Sequence, residues 1–170
     1  MINLVRKAIL VCSVSALLIT SSCMSGQKDA FEKGDGSLIT FEIAENDIIT
    51  QRFLPADEDT TDARTLKWYS FGDTEISWVN ASRFADTLTI DGGEWRLPTL
   101  EELRTLKHDG SSMYNISSLF GTNGWFLWSS ERDGESSFWG LDIHDGAGYE
   151  SRHFEDSYVD SRVFVVKELN

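Results

Sequence analysis

Both cysteines of this 170-residue chain, Cys12 and Cys23, lie within its first 23 residues. Whatever folds after Cys23 has no thiol of its own. It can build no disulfide, no zinc–thiolate site and no cysteine nucleophile, so an apolar core must hold it together.

The segment that holds the cysteines is itself informative. Arg6 and Lys7 carry the only early charges, and an uncharged, mostly apolar run follows from Ala8 to Ile19. That is the order of an export signal. The run is shorter than the roughly 20 apolar residues that a spanning helix needs. It ends in Thr20-Ser21-Ser22-Cys23, which is similar to a bacterial lipobox, although Thr20 stands where leucine is preferred. The resemblance implies cleavage before Cys23 and lipidation of its thiol, which would otherwise stay unpaired in an oxidising compartment. The expected layout is a signal peptide over 1–22, a flexible tether over 23–36 and a single domain over 37–170. The implied partner is a membrane, reached through the lipid. Met24 is not the aspartate that retains enterobacterial lipoproteins at the inner membrane, so the outer membrane is expected.

Loss of Arg6 and Lys7 with the signal takes the net charge from −13 to −15. Such a surface repels phosphate backbones, which excludes nucleic acid as a partner.

Periodicity sketches the elements. Ile39, Phe41 and Ile43 alternate with Thr40 and Glu42 as in a strand, with Ile48–Leu54 a hairpin partner. Leu66–Phe71 is a third strand. Trp78, Ala81, Phe84, Ala85 and Leu88 share one helical face behind Ser77 as N-cap, and Gly92-Gly93 breaks the pattern. In Pro98-Thr99-Leu100-Glu101-Glu102-Leu103 the Thr99 hydroxyl and the Glu102 carboxylate are spaced for a reciprocal capping box, opening a helix expected to run to about His108. Strands are expected at Trp125–Ser129, Ser137–Ile143, Tyr149–His153 and Arg162–Lys167, between turns at Asp133-Gly134 and Asp145-Gly146. Two helices followed by short antiparallel strands suggest an α+β domain.

The stretch Trp95-Arg96-Leu97-Pro98-Thr99-Leu100-Glu101-Glu102-Leu103 resembles the Trp-Arg-Leu-Pro-Thr core of a bacterial domain family that includes the C-terminal domain of the Legionella collagen-like adhesin. Trp78-Val79-Asn80-Ala81, Trp128-Ser129-Ser130 and Arg162-Val163-Phe164-Val165 agree in order, so the resemblance covers about residues 65–168. It implies a C-type-lectin-like fold, distantly related to formylglycine-generating enzymes, with two helices packed on a small twisted mostly antiparallel sheet and long loops. It also implies that the last strand pairs with an early one, around Leu66–Phe71. The cysteine often found in the family's first helix is absent, as are the catalytic cysteines of formylglycine-generating enzymes and the tripeptides with which calcium-dependent lectins hold sugar.

The motif itself reads as fold-forming, with Thr99 and Glu102 capping a helix and Arg96 pairing with a carboxylate. Ligand contacts are expected instead in the loop-rich segment from Met113 to Asp160, where Trp125 and Trp139 offer aromatic faces and Asp142, His144, Asp145 and His153 offer polar groups. Those side chains include metal-ligand types, yet they follow no metal-binding spacing, and no cofactor is expected. No nucleophile elbow, zinc-protease helix or phosphate loop occurs, which favours a non-catalytic chain. A paired-carboxylate hydrolase needs no motif and stays open. The expectation is a lipid-anchored envelope module for binding or adhesion, its ligand a glycan or a protein. A structural subunit of an envelope assembly is the alternative.

Overall fold

A computed structural model of the chain describes residues 26–56, 64–71, 75–107, 116–121, 126–143, 149–154, 156 and 161–169. Eight strands form one mixed sheet: β1 (Lys28–Glu32), β2 (Leu38–Ile43), β3 (Ile49–Leu54), β4 (Thr65–Phe71), β5 (Phe126–Arg132), β6 (Ser137–Asp142), β7 (Tyr149–Phe154) and β8 (Ser161–Leu169). Their order across the sheet is β1-β2-β3-β4-β8-β5-β6-β7, with every pairing antiparallel except that of β5 with β8. The helices are α1 (Trp78–Thr87) and the five-residue α2 (Leu100–Arg104).

This overturns the two-helix, C-type-lectin-like α+β layout. Among the described residues strand dominates, all of it in this one sheet, and the two short helices do not form a layer. They sit in different cores. One core joins Leu100, Leu103 and Leu106 of the α2 region to Phe41, Trp68, Leu127, Phe164 and Val166. The other joins Ala81 and Ala85 of α1 to Trp95, Phe126, Trp128, Val163 and Val165. Neighbours along a strand point to opposite faces, so the split of Val163 and Val165 from Phe164 and Val166 puts the two cores on opposite faces of β8. That explains the unbroken apolar run in β8, whose residues Ser161–Val166 are all buried.

The expected pairing of the last strand with an early one is present: β4 runs antiparallel to β8 from Thr65↔Leu169 to Phe71↔Val163. The expected tether needs correction. Lys28–Glu32 is a strand paired with β2, and the backbone of Gly26 and Gln27 already bonds to Ile43. The period of two was hard to see there because Phe31 is the only large apolar side chain in β1. It packs on the core and meets the Phe41 ring at 5.5 Å, while Lys28, Ala30 and Glu32 are exposed. Charged residues on such an outermost strand discourage edge-to-edge pairing.

The second helix is shorter than its expected reach to His108. After Arg104 the chain makes a turn in which Thr105 Oγ1 donates to the Glu102 carbonyl at 2.6 Å, and Lys107 then forms an isolated bridge with Ile116. A threonine hydroxyl that binds its own helix backbone competes with continuation of the helix. In α1, Ser77 holds the N-cap position with extended backbone but makes no side-chain capping bond.

Candidate functional site

The Trp-Arg-Leu-Pro-Thr segment is fastened from three directions. Arg96 and Val166 exchange both backbone hydrogen bonds, at 3.1 and 2.8 Å, and the Ser130 amide donates to the Pro98 carbonyl at 2.8 Å. From the third side α1 closes in, because the Trp78 indole N–H donates to the Ser129 carbonyl at 2.8 Å. The Trp78 ring also stacks on Phe138, with centroids 3.6 Å apart.

At the start of α2 the capping box is complete: the Glu102 amide donates to Thr99 Oγ1 at 3.1 Å, and the Thr99 amide donates to Glu102 Oε2 at 2.8 Å. A further early donor of the helix, the Leu100 amide, is met by Glu131 Oε1 at 2.8 Å. Beyond capping, the Glu102 carboxylate accepts a two-pronged contact from Arg96, 2.7 Å at each oxygen, and a third contact from Arg64 at 2.8 Å. Glu102 is only 2% exposed. Burial alone would raise its carboxyl; the Arg96 hydrogen bonds, the Thr99 amide and the charges of Arg96 and Arg64 outweigh that and hold it below the ordinary value. The bond to Glu102 in turn raises Arg96 further, against partial desolvation. The sequence reading of Arg96, Thr99 and Glu102 as builders of the fold thus matches the geometry.

Between α1 and this segment lies an open cleft of about 280 Å³, lined by Trp78, Ser82, Ala85, Asp86, Arg96, Leu97, Thr99 and Ser130. Ligand pockets usually start near 300 Å³, so the cleft suits one side chain or one small ring. It involves none of the residues singled out as ligand contacts from the sequence. The missed signal was the exposed side of α1: Ser82 and Asp86, four residues apart, share one helical stripe.

Of those sequence-derived candidates, Cys23, Trp125, His144 and Asp145 lie outside the described residues. Trp139 is half-buried in β6 and packs against the α2-side core. His153 is half-buried in β7, edge-on to Phe126 at 4.4 Å and to Trp128 at 6.1 Å between ring centroids. Burial pushes its imidazole below the ordinary value, and the charge of Asp142 on the neighbouring strand opposes this. The structure therefore brings Asp142 and His153 into electrostatic reach of each other. Trp139 is on β6 too, three residues before Asp142 and so on the opposite face of the sheet. Among the described residues no group of three or more histidine, cysteine or acidic side chains is placed to hold a metal ion. No helix among them is long and apolar enough to cross a membrane.

Comparison with known proteins agrees with the motif. No curated protein matches the chain. The family model of the Lcl C-terminal domain matches residues 58–163, a span that includes α1, the capping box and β5 to β7. Because that match takes in more than half of the sequence, the chain belongs to the Lcl C-terminal domain family.

Proposed function

We propose that this chain is a non-catalytic binding or adhesion module of a Gram-negative cell envelope, carried on a lipid at Cys23 and directed to the outer membrane. Membership of the Lcl C-terminal domain family, an adhesin-like class, is the observation that carries the binding part of this reading. The anchoring part rests on the apolar run from Ala8 to Ile19 that ends in small residues at Cys23. A protein or glycan ligand is compatible with the scaffold. Its rigid sheet and cross-tied segments provide the kind of frame on which binding surfaces are displayed.

The test uses cells that express the full chain or its Cys23→Ser form. The wild-type chain is expected in the membrane fraction after a high-salt wash, and the variant in the soluble fraction with its melting transition unchanged. A multiply acylated cysteine anchors stably where a single chain does not. Cells with the wild-type chain should also be retained on protein-coated or glycan-coated surfaces better than cells without it. A Cys23→Ser chain that stays in washed membranes would overturn the anchor, and equal retention of both kinds of cell would overturn the adhesive role.

A further inference from the structure

The cleft beside α1 has an uneven charge balance. Two charged side chains line it, Asp86 and Arg96. The guanidinium of Arg96 is committed through two nitrogens to Glu102, so its charge is met on the spot. The Asp86 side chain makes no ion pair or hydrogen bond among the described residues and is exposed on α1. An anion entering the cleft would face this carboxylate with no free cation in return. A cation would be met by it.

The remaining surface is mostly apolar: the indole of Trp78, Ala85 and Leu97. Ser82 and Ser130 also line it, whereas the Thr99 hydroxyl there is already engaged by the Glu102 amide. A sugar ring, polar around its whole circumference, would leave many hydroxyls against hydrocarbon. A long apolar stem ending in a compact cation matches better, because such side chains bury their methylenes and keep the charged head at a polar rim. An ammonium has three donors for Asp86 and the nearby hydroxyl oxygens, and needs no flat two-pronged partner as a guanidinium does. The net charge of the mature chain, −15 once Arg6 and Lys7 are lost, would draw basic partners in from solution.

We infer that this cleft receives a single lysine side chain of a protein partner, with the methylenes along Trp78 and Leu97 and the ammonium at Asp86. This rests on the binding-module reading, and it places the contact on α1 and the Trp-Arg-Leu-Pro-Thr segment instead of on the loops after Met113.

The experiment titrates the full chain, extracted in detergent, with acetyl-Gly-Lys-Gly-amide, its norleucine counterpart and glucose, following the indole N–H resonance of Trp78. The lysine peptide is expected to shift that resonance saturably and the other two probes to leave it in place. Asp86→Asn should weaken lysine binding on the order of fivefold, the upper range for an exposed ion pair, whereas Glu45→Gln in the exposed β2–β3 turn should leave it unchanged. A melting curve like that of the wild type checks that Asp86→Asn is folded. Equal binding of the norleucine peptide, saturable binding of glucose, no binding of the lysine peptide, or an unaltered Asp86→Asn would each overturn the inference. If surface retention of the cells survives Asp86→Asn, the cleft assignment falls and the adhesive role stands; if the wild-type chain retains no cells, the role itself falls.

Discussion

The indole N–H of Trp68 donates to Oε1 of Gln51 at 2.7 Å, and neither residue has any solvent exposure. Gln51 passes the connection on, since its Nε2 donates to Thr105 Oγ1 at 3.0 Å. The tie runs from β4 through β3 to the turn that ends α2. Replacing Gln51 with Met keeps the volume and strands the indole donor, which should cost about 1–3 kcal/mol. Adding Trp68→Phe removes that stranded donor, so the double variant should lose less than the two single losses combined. Urea denaturation of the four proteins measures this coupling; simple additivity would mean that the bond contributes nothing.

Glu102 should make the fold sensitive to acid. Its folded carboxyl lies below the ordinary 4.5, so its stabilising contribution is complete above that value and is lost as pH falls through the folded value. Glu102→Gln should lower stability at neutral pH by about 1.5–3 kcal/mol, a range for hydrogen bonds to charged groups. The full penalty of a stranded buried charge does not apply, because Arg64 and Arg96 are 36% and 44% exposed and can be hydrated. Stability of the variant should also fall less steeply below pH 4.5. Equal acid slopes would assign the ion cluster no part in acid unfolding.

Thr99→Ala tests the cap separately from the ion pairs. It removes the acceptor for the Glu102 amide and should cost about 0.5–2 kcal/mol. The melting temperature should fall while lysine-peptide binding stays within a few-fold. Lost binding with unchanged melting would make Thr99 a ligand contact in place of a cap.

His153 gives the opposite edge of the sheet its own pH dependence. Burial against Phe126 and Trp128 favours the neutral ring, so its folded value lies below the ordinary 6.5. The unfolded chain therefore takes up the proton first, and stability falls as pH drops from about 6.5 through the folded value. His153→Phe should remove this part of the pH dependence and leave that of Glu102. If the variant's melting temperature still declines over the same interval, the effect belongs to other groups.

Gly140 is fixed by sterics. A Cβ there would lie 2.2 Å from a Phe126 ring carbon and 2.5 Å from the Leu127 carbonyl oxygen. The Phe126 ring cannot swing away freely, since it is buried beside Trp128, and the Leu127 oxygen is backbone. Gly140→Ala should thus reach or exceed the upper end of the roughly 1–3 kcal/mol range for overpacking. A denaturation midpoint near that of the wild type would show that β5 and β6 can separate locally.

The four C-terminal strands and the α1 face were legible because their cues are local: alternation, turn dipeptides and a helical stripe. The capping box was legible for the same reason, since Thr99 and Glu102 are three residues apart. The arrangement of these pieces was not. Nothing local tells that Leu103 and Ala81 belong to cores on opposite faces of β8, because a strand buried on both sides reads only as an apolar run. β1 was missed because an outermost strand with one core side chain, Phe31, shows too little alternation. The cleft likewise draws Asp86 and Ser130 together across 44 positions of sequence, with no motif to mark the pair.

The pairing of Gly26 and Gln27 with Ile43 governs how far the domain can wander from an anchor. Only three steps of chain separate Cys23 from Gly26, about 10 Å at full stretch. A lipid on Cys23 would then be a short leash on the β1 margin, not a long flexible stalk. Seven inter-strand steps of about 4.8 Å put β7 at most about 34 Å across the sheet from that margin. The search volume of an anchored copy would be set by the width of its own sheet, and partners would have to come almost to the membrane surface to be caught.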